Sequence, residues 1–321
     1  TDVCLFVYAL EGKLMWILIY VDDAMLVDND TKLRECFVAD LSKRFPTEDK
    51  EVLQWMLGVE IVRDRVARTI SLSQRLYITD LVAKHSGIVS LSRVYDTPLQ
   101  EGMILSPADS PVVGSAEHDD MAAHRADYLS LIGAFQWLAN MTRFDIGFAA
   151  SQLARFMSNP ARCHYDAALR VLAYLHHSKD RILVYAPSSD RPFEVYVDSS
   201  WATKFSCSGA LYFFLGCPFA WFSKLQRSVT LSSAEAEYFG AMMCAREAVF
   251  YRHILHFLDL LADAPTTINT DSKSAVAMGF DPVAFKETKH ILRAAEFLRD
   301  LVIRGVFDLH HVPGVTMMAD I

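Results

Sequence analysis

Residues 14–27 read LMWILIYVDDAMLV, two apolar runs separated by a polar break that contains Asp22 and Asp23. Apolar runs of this length on both sides of a short polar break predict a β-hairpin with the two carboxylates at its turn. Adjacent carboxylates repel each other, and a bound divalent cation would remove that repulsion. Acidic residues are also frequent in ordinary surface turns. The hairpin alone therefore leaves a metal site and a structural turn as alternatives.

The composition predicts a globular protein of two or three domains. The chain has 321 residues, of which 52% are hydrophobic, enough to form several cores. Its longest apolar run, residues 209–222, is too short to span a membrane and contains Gly216 and Pro218. Because the sequence opens at Thr1 directly in apolar sequence, without a signal peptide, we expect a fragment of a longer protein.

The cysteines and the net charge restrict the class of protein further. Six cysteines are scattered without a C-x-x-C pair, which predicts neither a zinc site nor a disulfide framework and favours a reducing cell interior. The net charge is −8 at pH 7. Proteins that bind nucleic acid mainly by neutralising phosphates usually carry a basic domain or stripe. Any contact with nucleic acid is therefore expected to be local, or to need parts of a longer protein.

Residues 1–99 predict a first domain of strands and helices. After the hairpin, residues 33–45 have helical spacing, and residues 55–61 alternate as a strand that would pair with residues 70–73. Residues 74–87 predict a second helix.

The rest of the chain predicts a linker, a helical domain and a mixed domain. Residues 100–127 lack periodicity and are rich in Ser, Pro, Ala and acids, which predicts a linker. Residues 128–186 have helical spacing, with Asn159-Pro160 as a helix start, and lie within a helical domain of residues 128–190. In residues 191–321, strands come first and then alternate with helices, which predicts a mixed sheet covered by helices. The predicted strands are 193–197, 209–215, 219–222, 266–270 and 306–312, and helices open at Ser232, near Ser274 and over 284–304.

Four acids of this third domain lie at predicted strand ends or helix starts, where side chains converge: Asp198, Glu237, Asp271 and Asp320. Taken singly, each has a structural alternative, since Asp198 fits a turn, Asp271 a helix cap and Asp320 a frayed end. Glu235 and Glu237 point about 200° apart around a helix axis. Glu235 lies three residues after Ser232 and fits a capping box, so Glu237 is the candidate that would face the sheet.

Longer motifs occur in order along the chain. The third domain contains VDSSWA (197–202), WFSKLQRSVTLSSAEAEY (221–238), TDSKSA (270–275), TKHI (288–291), HVP (311–313) and ADI (319–321). Together they resemble the ribonuclease H domain of copia-type LTR retrotransposon Pol polyproteins. YLSLIGA (128–134), TRFDI (142–146) and RFMSNP (155–160) are similar to the connection segment of that family. YVDD (20–23), LGVEI (57–61), LSQ (72–74) and TP (97–98) are similar to the end of its reverse transcriptase.

The resemblance implies an α/β (α+β) fold with three parts. Residues 1–99 would be the C-terminal remnant of a polymerase palm and thumb, residues 128–190 a helical connection, and residues 191–321 a ribonuclease H-like mixed β-sheet flanked by helices. In that family, four carboxylates hold two Mg²⁺ ions, with Mn²⁺ as an alternative, for hydrolysis of RNA in RNA–DNA hybrids. Matched position by position, these catalytic and metal-binding residues are Asp198, Glu237, Asp271 and Asp320.

The same resemblance assigns the hairpin to RNA-directed DNA synthesis. Asp22 and Asp23 correspond to metal-binding and catalytic carboxylates of the polymerase. That site also needs another Asp and the fingers, which would lie before Thr1, so we expect that this chain alone does not polymerise DNA.

The implied partners are nucleic acids and the rest of the Pol polyprotein. They are an RNA–DNA hybrid, an RNA template and a DNA primer, with deoxynucleotides only in the intact polymerase and no membrane. The RNA strand would be recognised through its 2′-hydroxyls. The candidate phosphate contacts are Lys224, Lys286, Lys289 and Arg293, although the last three fit a solvated helix face equally well. The intact element implies an intracellular location, in cytoplasmic virus-like particles and the nucleus.

The chain departs from the family pattern at several positions. Phe144 stands where the family usually has Pro, and Leu292, Ala295 and Glu296 replace an expected Asp and a later Tyr-His. The segment between Trp201 and Gly209 is shorter than usual and keeps one basic residue, Lys204. These departures leave a catalytically inactive or co-opted retrotransposon relic as the alternative to an enzyme. A third functional hypothesis is an unrelated metal-binding scaffold.

Overall fold

A computed structural model describes residues 4–50, 52–188, 192–201, 206–227, 229–280 and 292–319, with the backbone alone over 292–295. The helices are α1 Thr31–Ser42, α2 Arg75–Lys84, α3 Ala116–Met141, α4 Gly147–Ala154, α5 Arg162–His177, α6 Ser233–Phe257, α7 Lys273–Phe280 and α8 Leu292–Ile303. None of the helices in these ranges is both long and apolar enough to cross a bilayer.

The strands form three sheets. They are β1 Leu5–Leu10, β2 Lys13–Tyr20, β3 Asp23–Asp28, β4 Trp55–Met56, β5 Val59–Asp64, β6 Thr69–Ser73, β7 Leu183–Tyr185, β8 Glu194–Ser200, β9 Cys207–Phe214, β10 Cys217–Leu225, β11 Thr266–Thr270 and β12 Phe307–His311. The chain divides into two compact units, residues 1–54 with 245–264, and residues 55–244 with 265–321.

The first unit contains an antiparallel three-stranded sheet in the order β1-β2-β3. Strands β2 and β3 form the predicted hairpin, in which Tyr20 pairs with Asp23. Strand β1 adds a second hairpin through Glu11 and Gly12, both with positive φ, as a type I′ turn requires. Helix α1 begins after Asp30, whose carboxylate accepts a hydrogen bond from the Leu33 N–H (2.9 Å) and so satisfies a free donor of the first turn.

In the second unit, helices α2 to α5 share one hydrophobic core. Ile78 and Leu81 of α2 are buried in the same cluster as Leu131 and Phe135 of α3 and Leu172 of α5. The antiparallel sheet β4-β5-β6-β7 belongs to the same unit. Buried side chains from residues 78–89, on the N-terminal side of the predicted boundary at residue 99, thus belong to the core of the helical connection.

Two predicted boundaries near this core also change. Helix α3 begins at Ala116, so the predicted linker 100–127 is helical over its last residues. Ser115 caps this helix by accepting a hydrogen bond from the His118 N–H (3.2 Å). The first turns are largely exposed, so their sequence lacks the apolar residues at helical spacing that would predict a helix. At the other end, residues 183–185, predicted as helical, form β7 because they pair with β6.

The third predicted domain contains a five-stranded mixed sheet in the order β10-β9-β8-β11-β12. Strands β10, β9 and β8 are antiparallel, whereas β11 is parallel to both β8 and β12. This confirms the predicted α/β mixed sheet with flanking helices. The predicted helix 284–304 is described as α8 from Leu292 to Ile303, and the rest of that prediction lies outside the described residues.

The helical connection packs against one end of this sheet. Trp221 of β10 donates its indole N–H to the Ala139 carbonyl of α3. The ring of Phe144, which follows α3, lies 5.3 Å from the Trp221 ring, centroid to centroid. Phe144 therefore fills an aromatic contact between the connection and the mixed sheet, which gives this departure from the family pattern a structural role.

Candidate metal centre

Asp198 and Asp271 extend from two neighbouring parallel strands. The ladder between β8 and β11 ends at the pair Tyr196–Asn269. Each aspartate lies two residues beyond its member of that pair, so both side chains leave the same face of the sheet at the same edge. Asp198 is half-buried and Asp271 is exposed. The parallel register is therefore what brings these two carboxylates together.

Glu237 on helix α6 is the third member of this cluster. One carboxylate oxygen each from Asp198, Glu237 and Asp271 lie within 4.8 Å of one another. Glu237 is buried, and its Oε1 accepts a hydrogen bond from the Ser199 N–H (3.3 Å). Its Oε2 is also buried and has no hydrogen-bond partner among the described residues. A buried, unpartnered carboxylate oxygen beside two other carboxylates fits a divalent cation with oxygen ligands, as Mg²⁺ prefers.

Glu235 has the structural role that its spacing predicts. The Ser232 hydroxyl accepts a hydrogen bond from the Glu235 N–H (3.2 Å), as in a capping box. The Glu235 carboxylate accepts in return from the Leu231 N–H (2.7 Å), one residue before the cap. Glu235 thus holds the start of α6, and Glu237 is the residue of this pair that reaches Asp198 and Asp271.

The electrostatics of the cluster favour a protonated Glu237 in the absence of metal. Burial, together with the negative charges of Asp198 and Asp271, raises the pKa of the Glu237 carboxyl to about 8, against a smaller opposing effect of the Ser199 N–H. A bound divalent cation would favour the ionised form instead, so that metal and proton compete for this carboxylate.

The raised pKa predicts a pH-dependent stability in EDTA. Between about pH 4.5 and pH 8 the folded chain holds a proton that the unfolded chain has lost. The free energy of unfolding therefore falls as the pH rises, by at most about 1.4 kcal/mol per pH unit. The Glu237→Gln variant, which has no such proton to lose, is expected to melt above the wild type at pH 8 and close to it at pH 5, measured by thermal unfolding.

The control for this measurement is Glu235→Gln on the same helix. It weakens the hydrogen bond with the Leu231 N–H and is expected to melt no higher than the wild type at either pH. A Glu237→Gln variant that melts below the wild type at pH 8 would contradict the electrostatic account.

Asp320, the fourth predicted carboxylate, lies outside the described residues. The segment that precedes it runs beside the cluster. The Ala319 carbonyl oxygen lies 3.0 Å from the position that a Cβ on Gly209 would occupy, and Gly209 is the strand partner of Asp198. Gly314, in the same segment, would carry its Cβ 3.7 Å from the Asp271 Oδ2. A glycine at 209 is what permits this close approach of the chain.

Asp22 and Asp23 lie at the exposed turn of the β2–β3 hairpin. Val21 in this turn has a φ of 54°, a left-handed conformation that a β-branched residue rarely adopts. Within the described ranges, neither aspartate belongs to a group of three metal-binding side chains. The structure thus places Asp22 and Asp23 at the turn of the predicted hairpin.

The predicted phosphate contacts are only partly described. Lys224 on β10 is exposed, and its ammonium lies 4.7 Å from the centroid of the Phe222 ring. Arg293 belongs to α8, where the backbone alone is described. Lys286 and Lys289 lie outside the described residues, so the structure bears on one of the four side chains.

A second cluster of metal-binding residue types, Asp109, Cys163 and His164, has different chemistry. The Nδ1 of His164 accepts a hydrogen bond from the Ala161 N–H (3.0 Å), which places the ring proton of the neutral imidazole on Nε2. Burial lowers the pKa of His164 and so favours this neutral form. The imidazole therefore has no free lone pair to offer a metal.

Four residues around Glu237 are not among the site residues predicted from the sequence. They are Ser199, Ser208 and Gln226, which are buried and polar, and Gly240, one turn after Glu237. A polar residue within a family motif is the sequence signal for Ser199 and Gln226, since they lie in the motifs 197–202 and 221–238. Ser208 precedes Gly209 outside those motifs, and its pairing with Ser199 requires the strand register.

No protein-family model matches the chain. Similar curated proteins are Pol polyproteins of plant transposons. The retrovirus-related Pol polyprotein from transposon RE1 of Arabidopsis thaliana is 31% identical over 324 residues, which cover 100% of this chain and 21% of that protein. The corresponding polyprotein from transposon TNT 1-94 of Nicotiana tabacum is 31% identical over 296 residues, which cover 91% of this chain and 22% of that protein. The chain thus spans about a fifth of the length of these relatives.

A solved structure with a similar course of the chain is the foamy viral protease–reverse transcriptase in complex with double-stranded DNA. It has a TM-score of 0.49 at 11% sequence identity, over 92% of this chain and 46% of that one.

Proposed function

Because the chain belongs to the retrovirus-related Pol polyproteins of copia-type transposons, of which it spans about a fifth, we propose that its mixed sheet carries a ribonuclease H site. The proposed reaction is the Mg²⁺-dependent hydrolysis of the RNA strand in an RNA–DNA hybrid. The family supports a reverse transcriptase and ribonuclease H region; the activity of this chain is the part that is proposed.

The cluster of Asp198, Glu237 and Asp271 is the observation that carries the proposal. Three carboxylates within 4.8 Å of one another, one of them buried, are costly to ionise together without a counter-ion, which a divalent cation would supply. They arise from the ends of β8 and β11 and from helix α6.

Each carboxylate has a distinct part in the proposed site. Asp198 and Asp271, at the ends of β8 and β11, would bind metal from the strand side, and Glu237 would bind it from the helix side through its unpartnered Oε2. Asp320 is proposed as the fourth ligand, supported by the passage of Ala319 next to the strand partner of Asp198. When bound, two Mg²⁺ ions would polarise the attacking water and stabilise the leaving oxygen in an in-line displacement.

The remaining predicted contacts extend this proposal. Lys224, Lys286, Lys289 and Arg293 are proposed to contact phosphates of the hybrid, whose RNA strand the 2′-hydroxyls distinguish. Asp22 and Asp23 are proposed to serve RNA-directed DNA synthesis in the intact polyprotein, with an RNA template, a DNA primer and deoxynucleotides as partners.

The proposal is tested with a set of labelled substrates of one sequence. The full chain is incubated in Mg²⁺ with the same RNA as an RNA–DNA hybrid, as double-stranded RNA and as a single strand, and in parallel with EDTA. We expect cleavage of the RNA in the hybrid alone, and none in EDTA. Binding of the hybrid without cleavage in Mg²⁺ or Mn²⁺ would overturn the enzymatic function and favour the inactive relic.

A further inference from the structure

A ring of hydrogen bonds leads from the carboxylate of Glu237 back to the backbone of α6 next to Glu237, and it is closed by the covalent bonds of the residues themselves. The Gln226 amide Nε2 donates to the Ala236 carbonyl of α6 (2.8 Å) and to the Ser208 hydroxyl of β9 (2.8 Å). The Ser208 and Ser199 hydroxyls are hydrogen-bonded at 2.8 Å. The Ser199 N–H donates to the Glu237 Oε1, and Glu237 follows Ala236 in the chain.

The ring is buried between the sheet and the helix. Ser199, Ser208, Gln226 and Glu237 are each less than 10% exposed. Hydrogen bonds in such surroundings are stronger than in water, and each lost partner leaves a buried polar atom unsatisfied. The geometry of the ring is therefore strongly coupled, and a change at one member is expected to move the others.

Gly240 allows the helix to come close enough for the ring to form. A Cβ at this position would collide with the Ser199 hydroxyl and would lie 3.0 Å from the Ser208 hydroxyl. The lack of a side chain at Gly240 therefore lets α6 lie close to β8 and β9 one turn after Glu237. The hydrogen-bonded ring holds the helix against the same strands at the turn that contains Glu237.

The ring engages one oxygen of Glu237 and leaves the other for a ligand. Oε1 accepts from Ser199, whereas Oε2 has no hydrogen-bond partner among the described residues. Buried polar atoms are usually hydrogen-bonded, and Glu237 lies in a cluster with the carboxylates of Asp198 and Asp271, so a metal would supply the missing partner. We propose that Gln226 is a positioning residue of the metal centre, which acts through Ala236, Ser208 and Ser199 to hold the Glu237 carboxylate in its ligating orientation.

This inference rests on the proposed metal site, and metal affinity is the property that tests it. Partners that orient metal ligands typically change affinity by about 10- to 100-fold when removed. Gln226→Met keeps the length of the side chain and removes its donors. We expect this variant of the full chain to bind Mn²⁺ about tenfold more weakly than the wild type, measured by electron paramagnetic resonance of free Mn²⁺ and by calorimetry.

Thr230→Val is the matched control. It removes the Thr230 hydroxyl and with it a buried hydrogen bond to the Ser206 hydroxyl (3.0 Å). This hydrogen bond lies outside the ring. It is expected to lower the melting temperature in EDTA as Gln226→Met does, but to keep the wild-type affinity for Mn²⁺. Ser208→Ala breaks the ring at another member and is expected to weaken Mn²⁺ binding with little further loss when it is combined with Gln226→Met.

The outcomes separate this inference from the proposed function. A wild type that binds no Mn²⁺ overturns the metal site and the positioning role together. A wild type that binds Mn²⁺ and a Gln226→Met variant of equal affinity overturn the positioning role and leave the metal site intact. If Gln226→Met does not fold, Gln226→Asn, one methylene shorter, must show the same weakening, and unchanged affinity there also overturns the role.

Discussion

Asp271→Asn is expected to lower the rate of hybrid cleavage in Mg²⁺ at least about a thousandfold, equivalent to about 4 kcal/mol of transition-state stabilisation. Asp271 belongs to the cluster of three carboxylates and is exposed, so an amide of the same shape is accommodated without disturbing the core. The amide offers a metal one oxygen and no negative charge. Cleavage of labelled RNA in the hybrid, with single-turnover rates for wild type and variant, measures the effect.

Asp308→Asn is the control for this loss. Asp308 lies on β12 of the same sheet, is half-exposed and is hydrogen-bonded to His310 (2.8 Å), outside the carboxylate cluster. Its variant is expected to cleave at the wild-type rate. Equal rates for Asp271→Asn and Asp308→Asn would mean that the observed nuclease is a contaminant or that the site lies elsewhere.

Asp145→Ala is expected to destabilise the helical core of the second unit by about 3–5 kcal/mol. Arg143 is buried and its guanidinium pairs with both oxygens of Asp145 (2.9 and 2.7 Å). Burial alone would raise the pKa of the Asp145 carboxyl, but the charge and hydrogen bonds of Arg143, with Tyr174 and Arg181, hold that pKa below its usual range. Removal of Asp145 leaves a buried cation without its counter-ion. Hydrogen exchange of α4 and α5 in increasing urea measures the loss.

Two comparisons make this prediction specific. Asp166→Ala breaks the exposed pair with Arg162 and is expected to cost less than about 0.5 kcal/mol. The double variant Arg143→Met with Asp145→Leu removes both charges and is expected to recover most of the stability. If the free energy of unfolding of Asp145→Ala lies within about 1 kcal/mol of the wild-type value, the buried pair contributes little to the stability of the helical connection.

The elements with strong local signals could be predicted from the sequence. The hairpin of β2 and β3 follows from two apolar runs around a polar break, and the start of α6 follows from the spacing of Ser232 and Glu235. The order of strands and helices predicted the mixed sheet, and the family motifs assigned the carboxylates Asp198, Glu237 and Asp271, which the structure brings together.

The features that the sequence did not predict depend on partners distant in sequence. Residues 183–185 form a strand only because β6 pairs with them, and residues 55–99 join the helical core through buried side chains such as Ile78. The aromatic contact of Phe144 with Trp221 and the ring around Gln226 likewise need a sheet register that no local pattern contains. Tertiary packing, rather than propensity, decides these features.

The parallel pairing of β8 with β11 also decides when the carboxylates meet during translation. Antiparallel β8, β9 and β10 follow one another in the chain and can pair while it is still leaving the ribosome, whereas β11 and Asp271 are made only after the whole of α6. Pairing over such a separation must first overcome the entropy of closing a long loop, which makes it slow. A nascent chain that ends before β11 therefore carries Asp198 and Glu237 without Asp271, and the cluster is completed only once β11 has been made.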